Sequence, residues 1–212
     1  MNLGGIGKFK GIAIIAVTLL VISVPIAVYI YADQRLIMTE PEPLATPHPD
    51  GGDAPIPALT NPRIVITKSK RELEVFDGDV RVKTYAISLG GSPVGDKEIE
   101  GDGRTPEGEF YIFVKNPKSS FFLSLGLSYP NREDAERGLR DGLITKAEKL
   151  AIDKAIDAGR TPPQKTKLGG EIYIHGGGNL ADWTEGCIAM RNQDIQQLYD
   201  AVGTGAPVTI LP

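Results

Sequence analysis

From Arg63 onward, polar and apolar residues alternate along much of the chain. Arg63-Ile64-Val65-Ile66-Thr67-Lys68 leads through Ser69-Lys70 into Glu72-Leu73-Glu74-Val75-Phe76, and the alternation resumes after Asp77-Gly78 in Val80-Arg81-Val82-Lys83-Thr84-Tyr85-Ala86-Ile87-Ser88. A period of two places every second side chain on one face, the pattern of a strand lying against a core. Asp-Gly between two such runs is a strong hairpin signal, because both residues accept the positive φ that a tight turn demands. The pattern predicts a β-meander, with further strands over 109–115, 172–175 and 206–211.

Two stretches carry helical spacing instead. Asn131 followed by Glu133 and Asp134 starts one short helix, and the capping box Thr145-Lys146-Ala147-Glu148 opens a second that ends before Gly159. Together they form a helical insertion over about 131–159. After Asn192, which is expected to cap it, a C-terminal helix places Ile195, Leu198, Tyr199 and Val202 on one core-facing stripe and ends at Gly203. The predicted class is mainly β with α insertions, a β-sandwich or meander bearing the helical insertion and the C-terminal helix. The insertion, with 119–129 before it, is expected to form a lid or wall over the functional face.

The N-terminal part follows a different pattern. Residues 11–32 contain no charged side chain, and the run matches the roughly 20 residues a helix needs to cross a bilayer. It exceeds the apolar region of a signal peptide, about 7–15 residues, so one uncleaved transmembrane helix is predicted after a cytoplasmic N-terminus, residues 1–10. Lys8 and Lys10 precede the span, which orients it with the N-terminus inside. Tyr29 and Tyr31 fall at its outer interface, and Pro25 is positioned to kink it. Residues 33–61 are rich in Pro, Gly and Asp and are expected to be a spacer, with His48 a linker residue.

The 212 residues suffice for one domain of moderate size with appendages. A net charge of −4 and a pI near 5.3 give no reason to expect a nucleic-acid partner. The single cysteine excludes an internal disulfide framework and a multi-cysteine zinc site. The glycine-rich stretches 90–97 and 101–108 are turns rather than a phosphate cradle, since neither forms a strand–glycine–helix unit with a P-loop lysine. Asp141-Gly142 resembles the end of a calcium loop, but that register places Arg137 and Leu139 at ligand positions, which argues against calcium. No cofactor and no metal are expected.

The chemistry concentrates in 171–192. Cys187 is the sole cysteine and His175 one of two histidines. A thiol becomes a nucleophile as thiolate and needs a base or positive charge beside it, and His175 is the histidine placed to serve. Glu171-Ile172-Tyr173-Ile174 reads as a strand that delivers His175 at its end, followed by the sharp turn Gly176-Gly177-Gly178. Gly186 directly before the thiol lets backbone N–H groups converge where an oxyanion forms. Zinc on His175 and Cys187 lacks a third ligand at any recognised spacing, although Asp182 and Glu185 are near in sequence.

His175-Gly176 followed by Thr184-Glu185-Gly186-Cys187-Ile188 resembles the L,D-transpeptidase catalytic domain family, also called the YkuD domain, over about 62–212. The spacer between the two halves is short, and Ala189 stands where the family commonly has arginine; Asp182-Trp183-Thr184-Glu185-Gly186-Cys187-Ile188-Ala189 resembles a subgroup lacking it. The resemblance implies a bacterial enzyme of the extracytoplasmic, periplasmic side of the cytoplasmic membrane. Its Cys187 would form an acyl-enzyme with a peptidoglycan stem peptide, with His175 as base and the Gly186 region as oxyanion site. Thr184, Asp182, Trp183, Gly176, Arg104 and Tyr129 are the candidate substrate-binding residues. Either a backbone carbonyl or Asp182 would orient His175. Three functions remain open on the residues alone: transfer of the acyl group to an amine, hydrolysis as a carboxypeptidase or amide-releasing enzyme, and a membrane-anchored wall-binding module without turnover.

Overall fold

Alternating apolar residues in the first two strands, Ile64 and Ile66 then Leu73 and Val75, bury one face of a sheet that goes on to curl around its core. The computed structural model describes residues 54–212; the expected cytoplasmic segment, the transmembrane helix over 11–32 and His48 lie outside the described residues. Strands β1 (Pro62–Thr67), β2 (Glu72–Asp77) and β3 (Val80–Ala86) form the predicted antiparallel meander. Gly78, at φ +59°, makes the turn between β2 and β3 that Asp-Gly announces.

The sheet continues through β4 (Gly108–Ser119), β5 (Phe122–Leu127), β6 (Tyr173–His175), β7 (Ile188–Ala189) and β8 (Pro207–Leu211), in the order β3-β2-β1-β8-β4-β5-β6-β7. The meander therefore ends at β3. The chain's last strand inserts between β1, to which it is parallel, and β4, to which it is antiparallel. The expected sandwich is one eight-stranded sheet that curls at β4. Residues Gly108–Tyr111 of that strand pair with β8, whereas Ile112 onward pairs with β5 through two register shifts, which bend a strand and increase its twist.

Sequence reading does not find β5 or β7. The run Phe122-Leu123-Ser124-Leu125-Gly126-Leu127 breaks alternation, because Leu123 to Leu127 are buried on both faces. β7 is two residues long and has no pattern to read.

Ile64, Ile66, Leu73, Val75, Ile112, Leu125 and Ile210 line the main core. Helix α3 (Asn192–Ala201) buries Ile195 and Leu198 there, with Val202 just beyond it. Its N-cap is Arg191, not Asn192; the Asn192 carboxamide instead accepts the Gly177 N–H at 2.9 Å. The insertion forms as its capping signals predict, as α1 (Arg132–Arg140) capped by Asn131 and α2 (Lys146–Asp157) capped by Thr145, each with a reciprocal capping box. It has its own small core of Ala135, Ile144, Ile152 and Leu168. The described end of the expected spacer is part of the fold: Ile56 and Leu59 pack on the main core, and Asp77 accepts hydrogen bonds from the Thr60 and Asn61 N–H groups.

Lys68, almost fully buried in the turn between β1 and β2, anchors the glycine-rich loop. Its ammonium donates to the carbonyls of Gly95 (2.5 Å) and Thr105 (2.8 Å) and to Glu107 Oε1 (2.8 Å). Removing one member of a buried ion pair strands the other and the carbonyls with it. Lys68→Met is expected to lower unfolding free energy by about 3 kcal/mol, measured by urea denaturation; a loss of surface-pair size would show that water replaces the ammonium.

Candidate active site

Strand β6 ends on His175, and the parallel partner that pins its end is β7: Ile174 lies opposite Ile188 and His175 opposite Ala189. That register brings Cys187, one residue before β7, alongside the start of β6. The Tyr173 N–H donates to Cys187 Sγ at 3.4 Å, and the thiol donates to the Glu171 carbonyl at 3.5 Å. Glu171 holds φ +56°, a left-handed conformation uncommon outside glycine. Cys187 and His175 line one cavity of about 440 Å³. No hydrogen bond joins them among the described residues, so in the resting arrangement backbone groups hold the thiol.

His175 is buried, and its Nδ1 lies 2.6 Å from the Gly176 carbonyl, an acceptor that fixes Nδ1 as the protonated nitrogen. Nε2 is thereby the basic nitrogen, and the carbonyl, rather than Asp182, orients the ring. Phe121 stacks on the imidazole at 4.6 Å between centroids, and Trp183 meets it edge-on at 5.6 Å. Burial pushes the His175 pKa down, partly opposed by the Gly176 carbonyl. Burial also pushes the Cys187 thiol up, against the Tyr173 N–H and the charge of Lys97, which favour the thiolate; Glu171 and Glu185 disfavour it. Both shifts favour the neutral pair, thiol and imidazole, at rest.

Gly186 is required by its backbone. It sits at φ +133°, and a Cβ there would stand 2.7 Å from the Arg104 carbonyl oxygen. Its N–H, expected to face an oxyanion, donates instead to Thr184 Oγ1 at 3.2 Å, and that hydroxyl donates to the Cys187 carbonyl at 2.7 Å. Thr184 thus braces the turn before Cys187 while also lining the cavity. The Cys187 N–H has no protein partner among the described residues.

The other expected residues separate. Trp183 lines the cavity and is 43% exposed. Gly176 is packed, since a Cβ would meet Asn192 Oδ1 at 2.5 Å and the Phe121 carbonyl at 2.7 Å, and it lies outside the cavity lining. Asp182 faces away from the cavity and pairs with Arg71. Arg104 is turned to the Asp96 carbonyl and to Glu98, outside the cavity lining. Tyr129 is fully buried, and its hydroxyl donates to the Leu168 carbonyl at 2.8 Å, which removes it from substrate contact.

The cavity also includes residues that the sequence does not single out: Phe121 at the β4–β5 turn, Lys97 and Glu100 in and just after the first glycine-rich stretch, and Gln164 and Gly170 from the stretch after α2. The expected wall is thus supplied by the segment following the insertion and by Phe121, and neither α1 nor α2 reaches the lining. Phe121 falls within the stretch expected to form a wall. Lys97 and Gln164 carry no local signal, because only the tertiary arrangement brings them to the thiol.

No curated protein matches the chain. Among solved structures, a point mutant of the helical cell shape determining protein Pgp2 from Campylobacter jejuni is 25% identical with a TM-score of 0.50, over 75% of this chain and 51% of that one. Bd1075 from Bdellovibrio bacteriovorus is 21% identical with a TM-score of 0.47, over 75% and 52%. An L,D-transpeptidase from Xylanimonas cellulosilytica is 18% identical with a TM-score of 0.41, over 74% and 64%. The chain spans about half the length of the first two. The family model described as the L,D-transpeptidase catalytic domain, YkuD, matches residues 61–210. With that match over most of its length, the chain belongs to the YkuD family of L,D-transpeptidase catalytic domains.

Proposed function

We propose that the protein is a peptidoglycan L,D-transpeptidase with Cys187 as nucleophile. The observation that carries this reading is the shared cavity of Cys187 and His175, in which the imidazole presents Nε2 as a base because Nδ1 is committed to the Gly176 carbonyl. Cys187 Sγ attacks the carbonyl of a stem peptide on the carboxyl side of its diaminopimelate, as the thiol proton passes to His175 Nε2. The tetrahedral oxyanion takes a hydrogen bond from the Cys187 N–H. Collapse expels the amine of the terminal residue, which receives the proton from His175, and leaves a thioester. An amine of a second stem, deprotonated by the same His175, then displaces the thiolate and forms a cross-link. The similar protein Pgp2 is described as a helical cell shape determining protein, and a role in shaping the cell is consistent with this chemistry. The span over 11–32 would tether the domain to the outer face of the cytoplasmic membrane, where that polymer lies.

Incubating the 212-residue chain with a purified disaccharide-tetrapeptide and reading products by mass spectrometry tests the proposal. A cross-linked dimer and an acyl mass on Cys187 are expected, and Cys187→Ala should give neither. Release of the terminal residue without dimer would identify water as acceptor and replace transfer by hydrolysis. Unchanged turnover in Cys187→Ala would sink the cysteine mechanism.

The electrostatics give a second expectation. His175 acts as a neutral base, and its pKa is lowered by burial, so it remains competent below the ordinary histidine range and loses activity as pH falls through its depressed value. The acid limb of kcat/KM should therefore lie below the ordinary midpoint of histidine, near 6.5. Alkylation of Cys187 by iodoacetamide should rise with pH through a midpoint above the ordinary thiol value. A fast alkylation plateau at neutral pH would show a preformed thiolate–imidazolium pair instead.

A further inference from the structure

Asp182 belongs to the motif around Cys187 but does not enter the cavity. Arg71, from the turn between β1 and β2, grips its carboxylate with a fork: Nη2 to Oδ2 at 2.7 Å, and Nε to Oδ2 and Oδ1 at 3.1 and 3.2 Å. The guanidinium is itself fixed from behind, where Nη1 donates to the Lys68 carbonyl at 2.5 Å. Arg71 is one of three described non-glycine residues at positive φ, at +56°, and its carbonyl accepts the Ile87 N–H at 2.9 Å. Its backbone is thus tied to the segment after β3 as its side chain reaches the motif.

The contacts continue inward. Asp182 Oδ1 accepts the Leu89 N–H at 2.8 Å. The Leu89 carbonyl, in the fully buried residue, accepts both the Trp183 and Thr184 N–H groups at 3.1 and 3.2 Å. Thr184 in turn closes on Gly186 and Cys187 through its hydroxyl, and its carbonyl accepts the Gly91 N–H at 2.9 Å. An exposed ion pair with no onward contact contributes little. This pair opens a chain of hydrogen bonds that ends on the carbonyl of the nucleophile, and burial of its carboxylate is offset by the fork and the Leu89 N–H, which keep Asp182 ionised.

We infer that Arg71, through Asp182 and Leu89, is a positioning residue for Cys187, holding the 182–187 turn in the geometry that attack requires. This rests on Cys187 being the nucleophile. The planar fork is specific to arginine: a lysine ammonium is a point charge and cannot span Nε and Nη2. Arg71→Lys is therefore a near-equivalent of Arg71→Met, whereas a mere charge requirement would let lysine rescue.

The test compares Arg71→Met, Arg71→Lys, Asp182→Asn and the Arg71→Met/Asp182→Asn double variant in the 212-residue chain. Each single variant is expected to lower kcat by about tenfold to a hundredfold with KM little changed, the scale of a reacting group displaced by about 1 Å. The double variant should fall no further than the worse single, because the two residues act as one unit. Iodoacetamide alkylation of Cys187, read by mass spectrometry, should quicken in all variants as the turn loosens, and this readout needs no turnover. Full kcat in Arg71→Met, even with a lowered Tm, would overturn the inference and leave the pair a stabilising contact only. A double-variant loss equal to the product of the single losses, or rescue by Arg71→Lys, would overturn it too. Were the unaltered chain to show no turnover while the variants alkylate faster, the positioning chain would stand and the transpeptidase reading would fall.

Discussion

Everything at the site depends on the parallel register between β6 and β7. Pairing Ile174 with Ile188 and His175 with Ala189 leaves no freedom in where Cys187 falls, because side chains alternate along a strand and a slip by one residue would turn the thiol to the other face. Parallel strands also demand a connection of about a dozen residues or more, and 176–187 is a short crossover without a helix. Such a connection cannot be left loose. Gly177 and Gly178 hold φ near +100°, the Gly178 N–H donates to the Met190 carbonyl, and the Asn179 carboxamide donates to the Ala86 carbonyl. The motif is therefore a strap whose two ends are strands and whose middle is nailed down by backbone groups.

The same register explains Ala189. It lies opposite His175, its N–H and carbonyl exchange hydrogen bonds with Ser88, and it is fully buried. A long cationic side chain at that position would have to enter the packed layer beside the imidazole and lose its hydration. Positive charge acts on the thiol instead from Lys97, a cavity-lining residue whose ammonium is paired with Asp102 at 2.7 Å. Positive charge thus reaches the cavity from the glycine-rich loop, which Lys68 anchors from below.

Much of this was legible in the sequence where the physics is local. The meander follows from alternation, the hairpin from Asp77-Gly78 and the two insertion helices from Asn131 and Thr145; scarcity of both residue types singles out Cys187 and His175, which line one cavity without a hydrogen bond between them. What failed was decided at long range. β5 is covered on both faces and so loses its period, and β8 finds its place between β1 and β4 only in three dimensions. Tyr129, Arg104 and Asp182 are polar residues near the motif or its turns, a pattern that fits substrate contact and structural bonding equally. Burial and partners separate the two, and neither is written in the chain.

Burial at the site acts on both members of the pair in the same direction. It raises the thiol and lowers the imidazole, so the neutral forms are favoured and the charge-separated pair is costly before substrate arrives. Under the proposed mechanism, charge would appear only as the sulfur bonds to a carbonyl carbon and the negative charge moves to the carbonyl oxygen. A site built this way relies on donors already in place for that oxygen, because nothing can be reorganised cheaply at the moment of reaction. The aim of the Cys187 N–H is set by Thr184, which fixes the carbonyl of the same residue and the N–H of the one before. On the proposed mechanism, rigidity in the turn would be part of the chemistry: a thiol left unactivated at rest would gain its reactivity from geometry rather than from a standing charge.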